Sequence, residues 1–375
     1  MHIRSKSLNL LSGNYLWVGV VTTFLLICLL TFYYVKFTHR KDYIYYLRND
    51  NGNLNLVRAD INTGQSIIVV PSSGKENTSA GFSLSADTTA ILARPDWKYV
   101  VLRSQRDNNY TKLYVFDENN GKLTAIDSDK ASYQFAGWLN GRFIYVSSKG
   151  DVQYPSSGTS TIKSYDPKTN KSTTIVPSTD RLGAPYIIES RLIYGVNTET
   201  SGQIYSWGTD SSQPTKLYEV QGPGIFTNNI YNPDKLYFSY YGENGSAKYL
   251  SYTNGKVSET TEQLANNQTF KFYIASPSAK KTTWYEKKDG KNNIYIGDSN
   301  GNNGKLAAIL QSDEKPYAWY GENTLIISKD GSVLYKLKKR QLIDISNYTA
   351  SPKGFDPAMA GYPGASYGYA GMFDY

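Results

Sequence analysis

Ala136-Gly137-Trp138-Leu139-Asn140-Gly141-Arg142-Phe143-Ile144-Tyr145 consists of two short apolar runs hinged on Asn-Gly. Asn-Gly supplies the positive φ that a two-residue hairpin turn demands, so the stretch reads as the first two strands of an antiparallel unit. Its second run recurs as Tyr43-Ile44-Tyr45-Tyr46, Lys98-Tyr99-Val100-Val101, Arg191-Leu192-Ile193-Tyr194, Lys235-Leu236-Tyr237-Phe238, Lys281-Thr282-Thr283-Trp284 and Asn323-Thr324-Leu325-Ile326, at spacings of 42 to 55 residues. Each copy is followed by a polar turn and another apolar segment, such as Lys112-Leu113-Tyr114-Val115-Phe116-Asp117 or Asn293-Ile294-Tyr295-Ile296. A third run then closes the unit, most clearly at Gly121-Lys122-Leu123-Thr124-Ala125-Ile126 and Gly304-Lys305-Leu306-Ala307-Ala308-Ile309. Four strands per roughly 45 residues is the period of a propeller blade.

The body is therefore expected to be an all-β propeller over residues 43–346, with seven four-stranded blades and six or eight as the alternatives. A sandwich or a solenoid is the competing architecture. The first unit lacks a first strand, which would let the ring close by pairing strands from both ends of the chain. The long first spacing leaves room for an extra hairpin around Phe82 to Ala93.

Ser276-Pro277-Ser278-Ala279-Lys280-Lys281-Thr282-Thr283-Trp284, followed by Asp289-Gly290-Lys291-Asn292-Asn293-Ile294-Tyr295, resembles the S-P-D-G-K repeat of TolB-like, WD40-like propellers. Ser85-Ala86-Asp87 and Pro95-Asp96-Trp97-Lys98 are weaker copies, and Ser278-Ala279 stands where the repeat has Asp-Gly. The resemblance covers about residues 43 to 346 and implies a fold but no activity. The anchored topology is also similar to the propeller part of dipeptidyl-peptidase-type hydrolases, with no hydrolase domain expected after it.

Upstream of the repeats, Tyr15 to Val35 is a run of 21 residues without a charge. At 1.5 Å per residue it spans the ~30 Å hydrocarbon core, with Tyr15 and Trp17 at one end and Tyr33 and Tyr34 at the other as interfacial anchors. It is longer than a cleaved signal's apolar region and no small-residue site follows it, so it reads as one uncleaved transmembrane helix over 15–35. Residues 1–14 form a basic N-terminal segment and 36–42 a juxtamembrane linker. Ile27 precedes Cys28 where a lipobox wants a small residue, so lipidation is not expected.

The formal charge of +8 is concentrated at this end: Arg4, Lys6, Lys36, Arg40 and Lys41 meet no acidic residue in the first 41 positions. Beyond them 35 basic side chains face 32 acidic ones, which gives no reason to propose nucleic acid as a partner. Basic residues flank the span on both sides, so charge alone does not orient it. The body, rich in Asn, Ser, Thr and Tyr, is expected outside the cytoplasm. It contains Asn-X-Ser/Thr triplets at Asn77, Asn109, Asn170, Asn244, Asn267 and Asn347, many of which arise by chance in so Asn-rich a chain.

Both histidines, His2 and His39, and the single cysteine, Cys28, precede the repeats. Histidine triads, zinc sites, thiol nucleophiles and disulfides are thereby excluded from the body, and a disulfide-free envelope domain suits a bacterial source. No catalytic, cofactor or metal residue is assigned, and the ligand-binding residues are unknown. Asn49-Asp50-Asn51-Gly52 and Asp298-Ser299-Asn300-Gly301-Asn302 have a calcium-loop composition without the calcium-loop spacing, and read as plain turns. The strand tyrosines are expected to fill space between blades, whereas the loop aromatics Trp97 and Trp319 are weak binding candidates. Residues 347–375, rich in Gly, Tyr, Pro and Ala, read as a flexible tail or, more sharply, as a docking strand or partner-binding tail.

The expected function is a non-catalytic, membrane-anchored platform at the cell envelope that binds protein or glycan. The alternatives are a structural subunit of an envelope or surface assembly and, behind it, a carboxylate-dependent carbohydrate-active enzyme.

Overall fold

A computed structural model of the chain describes Val21 and residues 43–50, 53–60, 65–75, 90–94, 96–107, 110–127, 129–149, 159–179, 182–183, 185–222, 224–228, 235–242, 244–260, 274–276, 280–298, 302–320, 323–329, 333–338 and 341–344. Contacts divide the chain into two compact units, Met1–Asp42 and Tyr43–Tyr375. Of the first only Val21 is described, helical and half exposed. The rest of the apolar run 15–35 lies outside the described residues, as do 1–14, 36–42 and 347–375. No helix among the described residues is long and apolar enough to cross a membrane.

Among its described residues the second unit is all strand, a β-propeller with seven antiparallel sheets that follow one another in chain order. The first sheet holds β1 (Tyr43–Asp50), β2 (Asn53–Asp60) and β3 (Ser66–Val70). The second holds β4 (Ala90–Ala93), β5 (Tyr99–Ser104), β6 (Lys112–Asp117) and β7 (Lys122–Asp127). The third holds β8 (Ser132–Leu139), β9 (Arg142–Lys149), β10 (Thr159–Asp166) and β11 (Lys171–Thr179). The fourth holds β12 (Tyr186–Ile188), β13 (Arg191–Asn197), β14 (Ser201–Trp207) and β15 (Thr215–Gln221). The fifth holds β16 (Ile225–Asn228), β17 (Leu236–Tyr241), β18 (Ala247–Thr253) and β19 (Lys256–Thr260). The sixth holds β20 (Ile274–Ala275), β21 (Lys281–Lys288), β22 (Lys291–Asp298) and β23 (Lys305–Gln311). The seventh holds β24 (Glu314–Tyr320), β25 (Thr324–Lys329), β26 (Val333–Lys338) and β27 (Gln341–Asp344). Ala90 to Ala93 is the first strand of the second blade, not part of an extra hairpin; residues 81–89 lie outside the described residues.

Burial explains why these short apolar runs make blades. Successive side chains of a strand point to opposite faces, and a middle strand of a blade is covered on both. Val100 and Leu102 of β5 join a cluster with Ile44, Tyr45 and Leu56 of the first blade. Val101, between them, joins one with Tyr133, Phe143 and Tyr145 of the third. Further clusters seat the third blade on the fourth, the fourth on the fifth and the sixth on the seventh. Tyr45, Tyr133, Tyr145 and Tyr252 are among the largest side chains fully withdrawn from solvent, so these strand tyrosines are core residues.

Turn chemistry matches the reading of the sequence at Asn140-Gly141, a pair of positive φ values, and Asn254-Gly255 and Asp289-Gly290 repeat it. Because the strands run antiparallel, first-to-second and third-to-fourth connections share one end of every blade. Second-to-third and blade-to-blade connections share the other. The first end carries tight turns, including 118–121, 140–141, 167–170, 189–190 and 254–255. The second carries the long connections 71–89, 105–111, 150–158 and 261–273.

Candidate functional site

Polar groups on the short-turn end are committed to holding neighbouring blades together. The Asn140 amide donates to Thr209 Oγ1 at 2.9 Å, joining a turn of the third blade to one of the fourth. The Glu189 carboxylate accepts the amides of Asn254 at 2.6 Å and Gly255 at 3.2 Å, joining the fourth to the fifth. Glu189 and Ser190 both hold positive φ in a turn without glycine, a conformation that costs of order 1 kcal/mol per residue. Arg58 meets Glu118 at 2.6 Å between the first and second blades, and Lys281 donates to Asn323 Oδ1 at 3.0 Å between the sixth and seventh.

The opposite end is built differently. Three of its long connections join strands of the first three blades: 71–89 runs from β3 to β4, 105–111 from β5 to β6 and 150–158 from β9 to β10. At the described ends of these connections stand charged and phenolic side chains of the second and third blades. Arg106 Nη2 donates to the Pro71 carbonyl at 3.3 Å, and its Nε lies 3.8 Å from Asp107. Asp107 also accepts the Tyr114 hydroxyl at 2.6 Å. The Lys112 ammonium stands 5.8 Å from the Tyr110 ring centroid.

Next to this group a recess of about 260 Å³ opens between the blades, lined by Ala125, Ile126, Asp127, Asp129, Lys163 and Ser172. Asp127, the last residue of β7, is its centre. Its carboxylate accepts the Lys163 ammonium at 2.7 Å, the Tyr133 hydroxyl at 2.9 Å, the Tyr145 hydroxyl at 3.0 Å and the Asp129 amide at 3.1 Å. Lys163 is shared with Asp129 at 3.5 Å, and Lys149 reaches Asp129 at 3.6 Å. Burial disfavours the charged form of Asp127, but the hydrogen bonds from Lys163, the Asp129 amide and Tyr133 outweigh it and hold the carboxyl below its ordinary range. Burial and then the neighbouring Asp127 charge push the Tyr133 and Tyr145 hydroxyls well above theirs. An ionised acid and two neutral phenols give a fixed set of hydrogen-bonding groups; Asp127 has no proton to give at neutral pH.

A second joint on the same end shows how the blades are registered. The Asn197 side chain donates from Nδ2 to the Ile225 carbonyl at 3.0 Å and accepts the Ile225 amide at 2.7 Å, copying a strand pairing between the fourth and fifth blades. Asn197→Ala is expected to lower stability by about 1–3 kcal/mol in urea unfolding, because it leaves both backbone groups of the buried Ile225 unpaired.

The two aromatic binding candidates fall elsewhere. Trp97 is 4% exposed and packs in the cluster between the first two blades, and Trp319 is 5% exposed, in β24 rather than a loop. Neither can stack on a ligand, since the apolar space between blades has taken both rings. Asp298 also has a turn role: its Oδ1 accepts the Asn302 amide at 2.8 Å and its Oδ2 the Asn303 side-chain amide at 3.0 Å. Among the described residues no group of three acidic, histidine or cysteine side chains could hold a metal ion. The Asp127 cluster carries no local sequence signal, because its members come from four strands between positions 127 and 163.

No protein-family model matches the chain, and no curated protein does. Among solved structures it is similar to a prolyl endopeptidase, at 13% identity and a TM-score of 0.47, over 85% of this chain and 50% of that one. It is similar to an uncharacterised protein of Listeria monocytogenes, at 9% identity and a TM-score of 0.46, over 87% and 94% of the two chains. TolB of Acinetobacter baumannii aligns at 15% identity and a TM-score of 0.34, over 80% and 78%. The chain spans about half the length of the peptidases it matches.

Proposed function

We propose that this protein is a membrane-anchored propeller of the TolB-like kind that displays the long-connection end outside the cytoplasm as a non-catalytic platform for a protein or glycan at a bacterial envelope. The observation that carries the reading is the inequality of the two ends. One is spent on turn-to-turn hydrogen bonds between blades. The other joins its strands through the long connections 71–89, 105–111 and 150–158, and carries a mixed set of charges and phenols on the strands that they connect. Binding residues ordinarily sit on such loops, placed by a rigid scaffold. The position of β1 supports the same arrangement. It enters its blade at the short-turn end, opposite the proposed binding end.

The test is a membrane-impermeant, amine-reactive crosslinker applied to intact cells, followed by mass spectrometry. The exposed Lys130 and Lys149, which flank the recess, are expected to join a recurrent neighbour. Replacing 150–158 with a two-residue turn is expected to abolish that product while the melting temperature stays unchanged. Labelling of these lysines only after lysis would place the domain in the cytoplasm and overturn the reading. Loss of the product on deglycosylation of intact cells would identify the ligand as glycan.

A further inference from the structure

Among the described residues the first blade has three strands, and the pairing register says which three they are. In the second, third, fourth and sixth blades a β-bulge interrupts the pairing of the third strand with the fourth. Second-to-third pairings run without a shift in blades two to seven. In the first sheet β1 and β2 pair without a shift, while β2 and β3 carry the bulge between Leu56 and Val57. These three are therefore the second, third and fourth strands. Burial agrees: Ile44, Tyr45 and Leu47 of β1 are core residues like those of β5 and β9, and β3 exposes Ile67 and Ile68 as an outer strand does. Among the described residues no strand pairs with the other edge of β1.

A first strand starts at the long-connection end, after the last strand of the preceding blade, and runs to the short-turn end. β27 ends at Asp344 on the long-connection end of the seventh blade, the end at which a first strand starts. The chain beyond it contains Tyr369-Ala370-Gly371-Met372-Phe373. This matches the first strand of the third blade, Phe135-Ala136-Gly137-Trp138-Leu139, and the Tyr317-Ala318-Trp319-Tyr320 of the seventh. Both of those strands bulge at this point, between Phe135 and Gly137 and between Pro316 and Ala318. Gly137 there has φ +126°, and a Cβ on it would stand 3.2 Å from Ile187 Cδ1. Residues 36–42, Lys-Phe-Thr-His-Arg-Lys-Asp, offer only one apolar side chain and suit the position poorly.

We propose that Tyr369–Phe373 is the first strand of this blade: it pairs antiparallel with β1, sets Gly371 at the bulge and completes the first blade within the same chain. Pairing there also removes an edge that would otherwise recruit strands from other molecules.

The test is hydrogen–deuterium exchange of peptides covering 43–50 in the full chain in detergent, with light scattering for mass. Full-length protein is expected to be monomeric with β1 amides protected, and Gly371→Val to speed their exchange by about tenfold or more while β9 and β13 stay unchanged. A chain stopped at residue 346 is expected to behave like Gly371→Val, and a synthetic peptide of residues 364–375 to restore its protection. If β1 stays protected in both variants, another segment covers the edge and the proposal fails. It fails equally if β1 exchanges freely in the full chain. A dimer that Gly371→Val dissociates would place the strand in a second copy and overturn closure within one chain.

Discussion

Asp127→Ala is expected to destabilise the propeller by about 3 kcal/mol, the loss that follows when one partner of a buried charge pair is removed and the other stays. Asp127 is the joint between the second and third blades, and its side chain is 6% exposed against 20% for Lys163. Truncation leaves the ammonium only the more distant and more exposed Asp129, at 3.5 Å, and withdraws an acceptor from Tyr133 and Tyr145. The phenols keep secondary acceptors in the Asp129 carbonyl at 2.7 Å and Ser172 Oγ at 3.4 Å, which keeps the loss at the lower end of the range for such pairs. Lys163→Met is expected to cost less, about 1–2 kcal/mol, since the carboxylate keeps three donors. The double variant should then recover part of the Asp127→Ala loss, giving a clear coupling energy in urea unfolding. Additive losses would mean that the pair does not act as a unit.

The same carboxylate sets an acid limit. Its folded pKa lies below the ordinary 3.8 while the unfolded chain titrates near that value. Stability from such a group is complete above the unfolded pKa and is lost as pH falls through the folded one. The difference between the parent protein and Asp127→Asn should therefore be flat from about pH 5 to 8 and shrink below about pH 4. A difference that instead grew on acidification would show that the carboxyl is protonated in the folded state.

The periodic features of this fold were legible in the sequence. Every apolar run stacked on Arg142–Tyr145 is part of a second strand, because a strand buried on both faces writes itself as consecutive apolar residues. Asn140-Gly141 announced its hairpin because few residue pairs accept two positive φ values. That the first unit opens on a second-strand run was readable as well. The joints between blades were not. Asn197 imitating a strand across to Ile225, or Asp127 collecting donors from three strands, depends on which residues the ring brings together, and no local pattern encodes that. The two ends of the propeller became distinguishable only once the alternation of strand direction was known.

Trp97 shows where burial overrides a local rule, and it gives the second large effect. A loop tryptophan beside Asp96 and Lys98 looks like a stacking platform, yet its ring is buried with Ile44, Ala93, Val100 and Phe116 between the first two blades. Its backbone bears the cost, with φ at 60° in a region that bulky residues avoid. The Trp97 amide donates to the Arg94 carbonyl at 2.7 Å, and the Asp96 carboxylate accepts the Lys98 amide at 3.2 Å, so the turn is tied down on both sides. Trp97→Ala is expected to lose about 3–5 kcal/mol through the vacated space, and to leave ligand capture at the long-connection end unchanged. Trp97→Gly removes the same ring but adopts positive φ freely. Glycine's greater freedom in the unfolded chain offsets part of that relief, so it should come out more stable than the alanine variant by a few tenths to about 1 kcal/mol. An alanine variant as stable as the glycine one would show that the backbone at residue 97 is not strained. A loss of ligand capture with full stability would return Trp97 to the role of a binding residue.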